Sequence, residues 1–421
     1  MTNKSITSKP DLGSVTIGLM ILYFYFSSVF LPLLSPLRNL EVLDPGLIRN
    51  ALLPPLFIAL VFSIGLGRVL KPRSGTQFLL VGMFLLGSIV GVQNIIIDES
   101  YREYFSHLFQ VSSAYVMFLV GWLTFKNWSE KFWKHFIILA LISALISFAL
   151  TIGALDRGEI GRYYTAAYGF ILISAYAANS SSSITLLAVL GSVVSNKRAV
   201  VLAIITMLTA KFMGFAGARS RVLTYRRFIS FSLKFVFFAL VSVATVLVFV
   251  AWVNQNPTTG VSKAYNISVN RMIDVVDALE ARSGLEEAAS GRYQEIEIAL
   301  GSMNEVNYFI GSGAGWNIQL ENGKNVQNIH FSPLSIASIY GFPIAISFYA
   351  MIIFVYLKFV FIRRRGLTLT EKMAPLYVLG ALVHSFFAYS LFIDWLFFFF
   401  IGVMSRSVQF EIKSRGVYHN A

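Results

Sequence analysis

The stretch "NIHFSPLSIASIYG" (Asn328–Gly341) sets one imidazole, His330, where a long polar stretch gives way to a long apolar one. Imidazoles titrate near about 6.5 as a class, which suits general acid–base work. Arginines stand in three other polar stretches. Arg157 and Arg162 lie in "LDRGEIGRYYT", Arg198 follows Lys197 in "SNKRAV", and Arg292 lies in "SGRYQEIEIAL". A guanidinium offers a planar fork of donors that matches phosphate oxygens, and it keeps its charge at a membrane edge. Convergent arginines beside apolar segments therefore suit a membrane-embedded pyrophosphate. Each also has a plainer reading, as an interfacial anchor or as the partner of a nearby acid, such as Arg157 with Asp156 or Glu159.

Other titratable residues carry less. The acid pairs Glu286/Glu287 and Glu295/Glu297 read as a solvated face, with Glu295 as a second acid–base candidate. No carboxylate cluster or histidine pair stands at ligand spacing outside the apolar segments, so neither metal nor cofactor is implied. His384 falls inside an apolar run, where an ionisable residue is a functional candidate by default. Its simpler reading is a hydrogen-bonded histidine buried in a helix bundle. His107 and His135 sit near the ends of apolar runs and call for no special role.

These residues need elements to hold them, and composition says which. Of 421 residues, 56% are hydrophobic and 13% charged, where a soluble chain has about a quarter charged. The chain reads as an all-α polytopic membrane protein. The 38 Phe and 19 Tyr suit lipid-facing helices and interfacial belts. The absence of Cys excludes disulfides, thiolate metal sites and a cysteine nucleophile. The net charge of +13 belongs on cytoplasmic loops rather than on a nucleic-acid surface, since no basic groove motif is present.

A span needs about 20 apolar residues. Runs of that kind place twelve helices at 14–36, 51–68, 76–97, 105–125, 134–154, 163–178, 182–195, 199–215, 229–253, 332–357, 374–392 and 395–408. Within 163–195 the stretch "AANSSSS" (Ala177–Ser183) reads as a tight polar turn between two short helices, with one long bent helix as the alternative. The run Ser14–Leu34 exceeds a signal h-region of roughly 7–15 residues, so it is expected to be a first span. Lys and Arg favour cytoplasmic loops. They cluster at Arg68–Arg73, Lys126–Lys134, Arg219–Arg227 and Lys358–Arg365, and in the tail. The alternate loops carry Glu41, Asp44, Asp98, Glu99, Asp156 and Glu159. Both termini are therefore expected inside the cell.

The remaining polar part is one external loop, 254–329, between the ninth and tenth helices of a single transmembrane domain. "NISVNRMIDVVDALEAR" has apolar residues at helical spacing and predicts an amphipathic helix. "SGRYQEIEIALGSMNEV" predicts a second, with Ser290 as N-cap, and "GSGAGWN" a glycine-rich turn. The loop is acidic in sum, so its arginines have acids to pair with.

"SGRYQEIEIAL", then "YFIGSGAGWN", then "NIHFSPLSIASIYGFP" resembles the signature of the O-antigen polymerase and O-antigen ligase superfamily. That signature has an arginine opening a periplasmic helix, a Gly-x-Gly turn, and a histidine ahead of the next span with a glycine eleven positions on. His330 and Gly341 keep the spacing. "GEIGRYYTAAYGF" and "SNKRAVVLAI" resemble two further stretches of the family. The residue after the histidine differs, being Phe331 rather than Asn, Ser or Gln, and the likeness covers about residues 150–405.

The resemblance implies a metal-independent membrane glycosyltransferase in the bacterial inner membrane, with a periplasmic site. Its donor is a glycan on undecaprenyl pyrophosphate. Its acceptor is a sugar hydroxyl of another lipid-linked repeat in a polymerase, or of lipid A–core in a ligase. By the resemblance, Arg162 and Arg292 hold the leaving pyrophosphate and His330 deprotonates or orients the hydroxyl. Arg157, Arg198, Tyr163, Tyr293, Gly313 and Trp316 then line the substrate path, and the aromatic residues read equally as an interfacial belt. A separate chain-length regulator is an expected partner. From a different class stands a lipid-linked oligosaccharide flippase or transporter, which would show internal repeats and polar groups at mid-membrane.

Overall fold

The structure is a computed structural model. It describes residues 12–24, 26, 45–156, 166–177, 198–212, 251, 254–259, 262, 266, 292–320, 323, 325–362, 366–387 and 391–419. In chain order its helices are α1 (Leu12–Phe24), α2 (Pro45–Ile64), α3 (Leu66–Val69), α4 (Gly75–Asp98), α5 (Tyr101–Thr124), α6 (Glu130–Asp156), α7 (Ala166–Ala177) and α8 (Arg198–Phe212). A polar segment follows with α9 (Arg292–Gly301), α10 (Glu305–Ile310) and the two-residue strands β1 (Ile318–Gln319) and β2 (Asn325–Val326), paired antiparallel. Last come α11 (Ser332–Tyr340), α12 (Phe342–Ile362), α13 (Leu369–Ser385), a 3₁₀ turn (Leu391–Ile393) and α14 (Trp395–His419).

The centre is built on α14. Phe397, Phe398, Phe399 and Phe400 are consecutive, so they point to every side of the helix, and all four are buried. This part of α14 is therefore enclosed by protein on all sides and not by lipid. α5 lies parallel along it. Gly121 and Gly402 make that approach possible. A Cβ on Gly121 would collide with the Phe399 carbonyl oxygen, and one on Gly402 with that of Phe118. Small residues that let two backbones touch are the usual device of helix packing in membranes. On another side Trp133 of α6 stacks on Phe400 at 5.9 Å and donates from Nε1 to Thr370 Oγ1 at 2.7 Å. Glu371, buried at the start of α13, accepts from the Thr368 backbone and hydroxyl and from Ser407, so its oxygens are satisfied.

Among the described residues four helices are long and apolar enough to cross a bilayer: α4, α5, α12 and the Trp395–Ile412 part of α14. The chain is thus a multi-pass membrane protein. α4 and α12 turn large apolar side chains outward, including Ile89, Ile96, Ile346 and Phe361, as lipid contact requires. The twelve expected spans are not all realised as such. The one at 182–195 lies outside the described residues, as does that at 229–253 except for residue 251. The one expected at 332–357 is two helices, because Gly341 (φ 85°) breaks it. The one at 374–392 stops at Ser385. Gly65 (φ 91°) likewise divides the run 51–68.

Gly121→Val or Gly402→Val is expected to part α5 from α14. The cost is about 1–3 kcal/mol or more of overpacking, read as a lower melting temperature and a polydisperse size-exclusion profile in detergent. Gly82→Val, at a position open within 4 Å, leaves both unchanged.

Candidate functional site

The polar segment caps one end of the bundle, where α4 finishes and α5 starts. The described charged groups there are mainly acidic: Asp98, Glu99, Glu103, Glu295, Glu297 and Glu305, beside Arg102 and Arg292. The other end carries Arg68, Lys71, Arg73, Lys126, Lys358 and Lys372. α14 does not begin level with α5. Phe118, 17 residues into α5, meets Gly402, 7 residues into α14. At 1.5 Å per residue the start of α14 lies about 15 Å below the tip of α5. The histidine segment reaches toward that level, since the Leu391 N–H donates to Ser332 Oγ at 2.9 Å. The cap is therefore sunk into the bundle.

The glycine-rich turn Gly311–Gly315 holds it there. Gly87 and Gly91 lie four apart on one face of α4. A Cβ on Gly91 would strike the Ala314 backbone, and one on Gly313 (φ 79°) would strike the Gly91 backbone. Within this contact Ala314 N–H donates to the Gly87 carbonyl (2.9 Å), and Asn94 Nδ2 donates to the Ser312 and Ala314 carbonyls (2.8 and 2.9 Å). Ser312 and Gly313 N–H groups donate to the Ser338 and Ile339 carbonyls at the end of α11 (2.7 and 2.9 Å). Gly315 N–H donates to Nδ1 of buried His107 (3.1 Å). The β1–β2 hairpin is tied to α5 by Asn317 on Ser100 (3.1 Å) and Gln327 on Glu103 (2.9 Å).

This framework sets His330 against Glu295. Glu295 lies on α9 and is 7% exposed, on the same face as buried Ala299. Its carboxylate accepts the His330 backbone N–H at 2.9 Å and faces ring Nδ1 at 2.8–2.9 Å. An ionised carboxylate only accepts, so the imidazole is held in the tautomer with a proton on Nδ1 and its lone pair on Nε2. The His330 side chain keeps 26% of its surface exposed. A buried carboxylate and an imidazole fixed by it, on a side chain that is not wholly buried, are the parts of a base–orienter pair. Gly341 closes the same unit. Its positive φ ends α11 and brings it against the Phe309 carbonyl. The eleven-residue spacing from His330 is thus α11 plus its two ends.

Arg292 and Tyr293 open α9, less than one turn ahead of Glu295, so the segment with the loop arginine also carries the histidine's partner. Arg198 opens α8. Arg157, Arg162 and Tyr163 lie outside the described residues, as do Ser290 and most of the expected helix 266–282. Gly313 and Trp316 sit in the buried turn, where packing against α4 and the core accounts for both. His384 lies in the last turn of α13, half-buried, with its ring 5.6 Å from that of Phe170. Two readings are corrected. Glu295 is not on a solvated face, although Glu297 is exposed. His107 does have a role, as the acceptor behind the turn. Among the described residues no three His, Asp or Glu stand together as metal ligands.

No protein-family model matches the chain, and no curated protein matches it.

Asn94→Leu is expected to strip two buried carbonyls of their donor, at about 1–3 kcal/mol each. Hydrogen exchange in 311–319 should quicken by at least about tenfold, while exchange in α14 stays unchanged.

Proposed function

We propose that the protein is a membrane glycosyltransferase that extends a surface polysaccharide. It would pass a glycan from undecaprenyl pyrophosphate to a sugar hydroxyl of a second lipid-linked repeat unit. The carrying observation is His330 fixed through Nδ1 by the buried carboxylate of Glu295. The acidic, capped end would face the periplasm and the basic end the cytoplasm, in keeping with the Lys/Arg bias.

In this reading the acceptor hydroxyl attacks the anomeric carbon as the bond from that carbon to the pyrophosphate oxygen breaks. The hydroxyl proton passes to His330 Nε2. The resulting imidazolium is stabilised by Glu295, which does not itself take the proton. The leaving pyrophosphate gains charge as it departs, and Arg292 is the described segment's candidate to meet it. The sunken cap suits a donor whose lipid keeps the reacting bond at membrane level.

His330→Gln should lower transfer about 10²–10⁴-fold, the range for a general base. Glu295→Gln should lower it at least about tenfold, with protein level and melting temperature near wild type. Arg292→Ala, in a strain lacking its own copy, should collapse the glycolipid ladder to core plus one repeat. Bare core with long polymer left on the carrier would make the protein a ligase. An unchanged ladder for all three variants would refute the transferase reading.

A further inference from the structure

At the end of the bundle opposite the cap lies a cavity of about 720 Å³. It separates the start of α4 from the second half of α12, with Trp122 of α5 and the Ser405–Ile412 stretch of α14 behind it. Its lining divides by chemistry. Arg73 and Lys358 supply cations, and no Asp or Glu lines it. Gly75 and Thr76 belong to the first turn of α4; Ser74 caps it by accepting from the Gln77 N–H (3.3 Å), and the Gly75 and Thr76 N–H groups have no partner within the helix and favour anions. Ser405 Oγ, also in the lining, is buried without a hydrogen-bond partner. Met351, Val355, Val408 and Ile412 make the rest apolar.

We infer that this cavity binds an anionic glycerophospholipid from the leaflet at the basic end. A phosphate headgroup satisfies Arg73, Lys358 and the α4 N-terminus together, and acyl chains cover the apolar wall. A free anion would leave that wall bare. A zwitterionic lipid would bring its own cation toward Arg73 and Lys358. The entrance lies on the surface that α12 gives to lipid, where Phe354 is 56% exposed and Lys358 lies over its ring at 4.3 Å. A long basic side chain at that depth follows lipid wall to headgroup level.

The test is native mass spectrometry of the full-length protein in detergent, titrated with phosphatidylglycerol, phosphatidylcholine or inorganic phosphate. Wild type should retain phosphatidylglycerol selectively. Arg73→Gln and Lys358→Gln should each weaken it about fivefold, and the pair about 25-fold, from about 1 kcal/mol per basic residue near a headgroup. Arg73→Lys with Lys358→Arg should stay within about twofold of wild type. Phosphatidylcholine binding as tightly as phosphatidylglycerol would overturn the proposal. So would undiminished phosphatidylglycerol on either single variant, or displacement of the lipid by millimolar phosphate. Both glutamine substitutions are at exposed side chains, so the lipid-free melting temperature checks that each variant is folded.

Discussion

Everything at the capped end depends on one backbone contact, the seating of Gly311–Gly315 on Gly87 and Gly91 of α4. Two main chains meet there with no side chain between them, and the peptide groups hydrogen-bond across the join. Its centre has no soft adjustment, because a Cβ on Gly91 or on Gly313 would lie inside the facing backbone. It fixes the turn to α4, and through Ser312 and Gly313 it fixes the end of α11 to the turn. The start of α11 is then set as well, and with it the segment that presents His330 to Glu295. Asn94 and His107 close the back of this arrangement by satisfying groups that would otherwise be buried without partners.

The bundle divides its polar chemistry by end. The capped end concentrates carboxylates, one of which is withdrawn from solvent to hold an imidazole. The other end concentrates Lys and Arg around a cavity with apolar walls. Between them the helices are nearly without charge, and the exceptions are paired: Glu371 is enclosed by Thr368 and Ser407, and the Asp394 carboxylate accepts from Tyr377 (3.0 Å) and caps α14.

Much of this was legible in the residues, and the failures have physical causes. The all-helical membrane class followed from the scarcity of charge. The glycine-rich turn followed from glycine's access to positive φ, which Gly311, Gly313 and Gly315 use. The pairing of Glu295 with His330 was not legible, because thirty-five residues separate them. The i, i+4 match of Glu295 with Ala299 was the available signal, and the proximity of Glu297 masked it. Breaks at Gly341 and Gly65 were hidden because hydropathy measures apolar length and not backbone direction. Gly121 and Gly402 look like unremarkable glycines in apolar runs, since close approach is a property of two segments that sequence cannot pair.

The back-to-back contact of α5 and α14 has a mechanical corollary. With glycine facing carbonyl on both partners, neither helix can roll or slide past the other without a clash, so the two form a stiff spindle through the protein. α4 and α12, flanking the cavity and facing lipid, lack such a lock along their basic halves. Lateral give at the basic end therefore falls to those outer helices, which flank a spindle that does not turn.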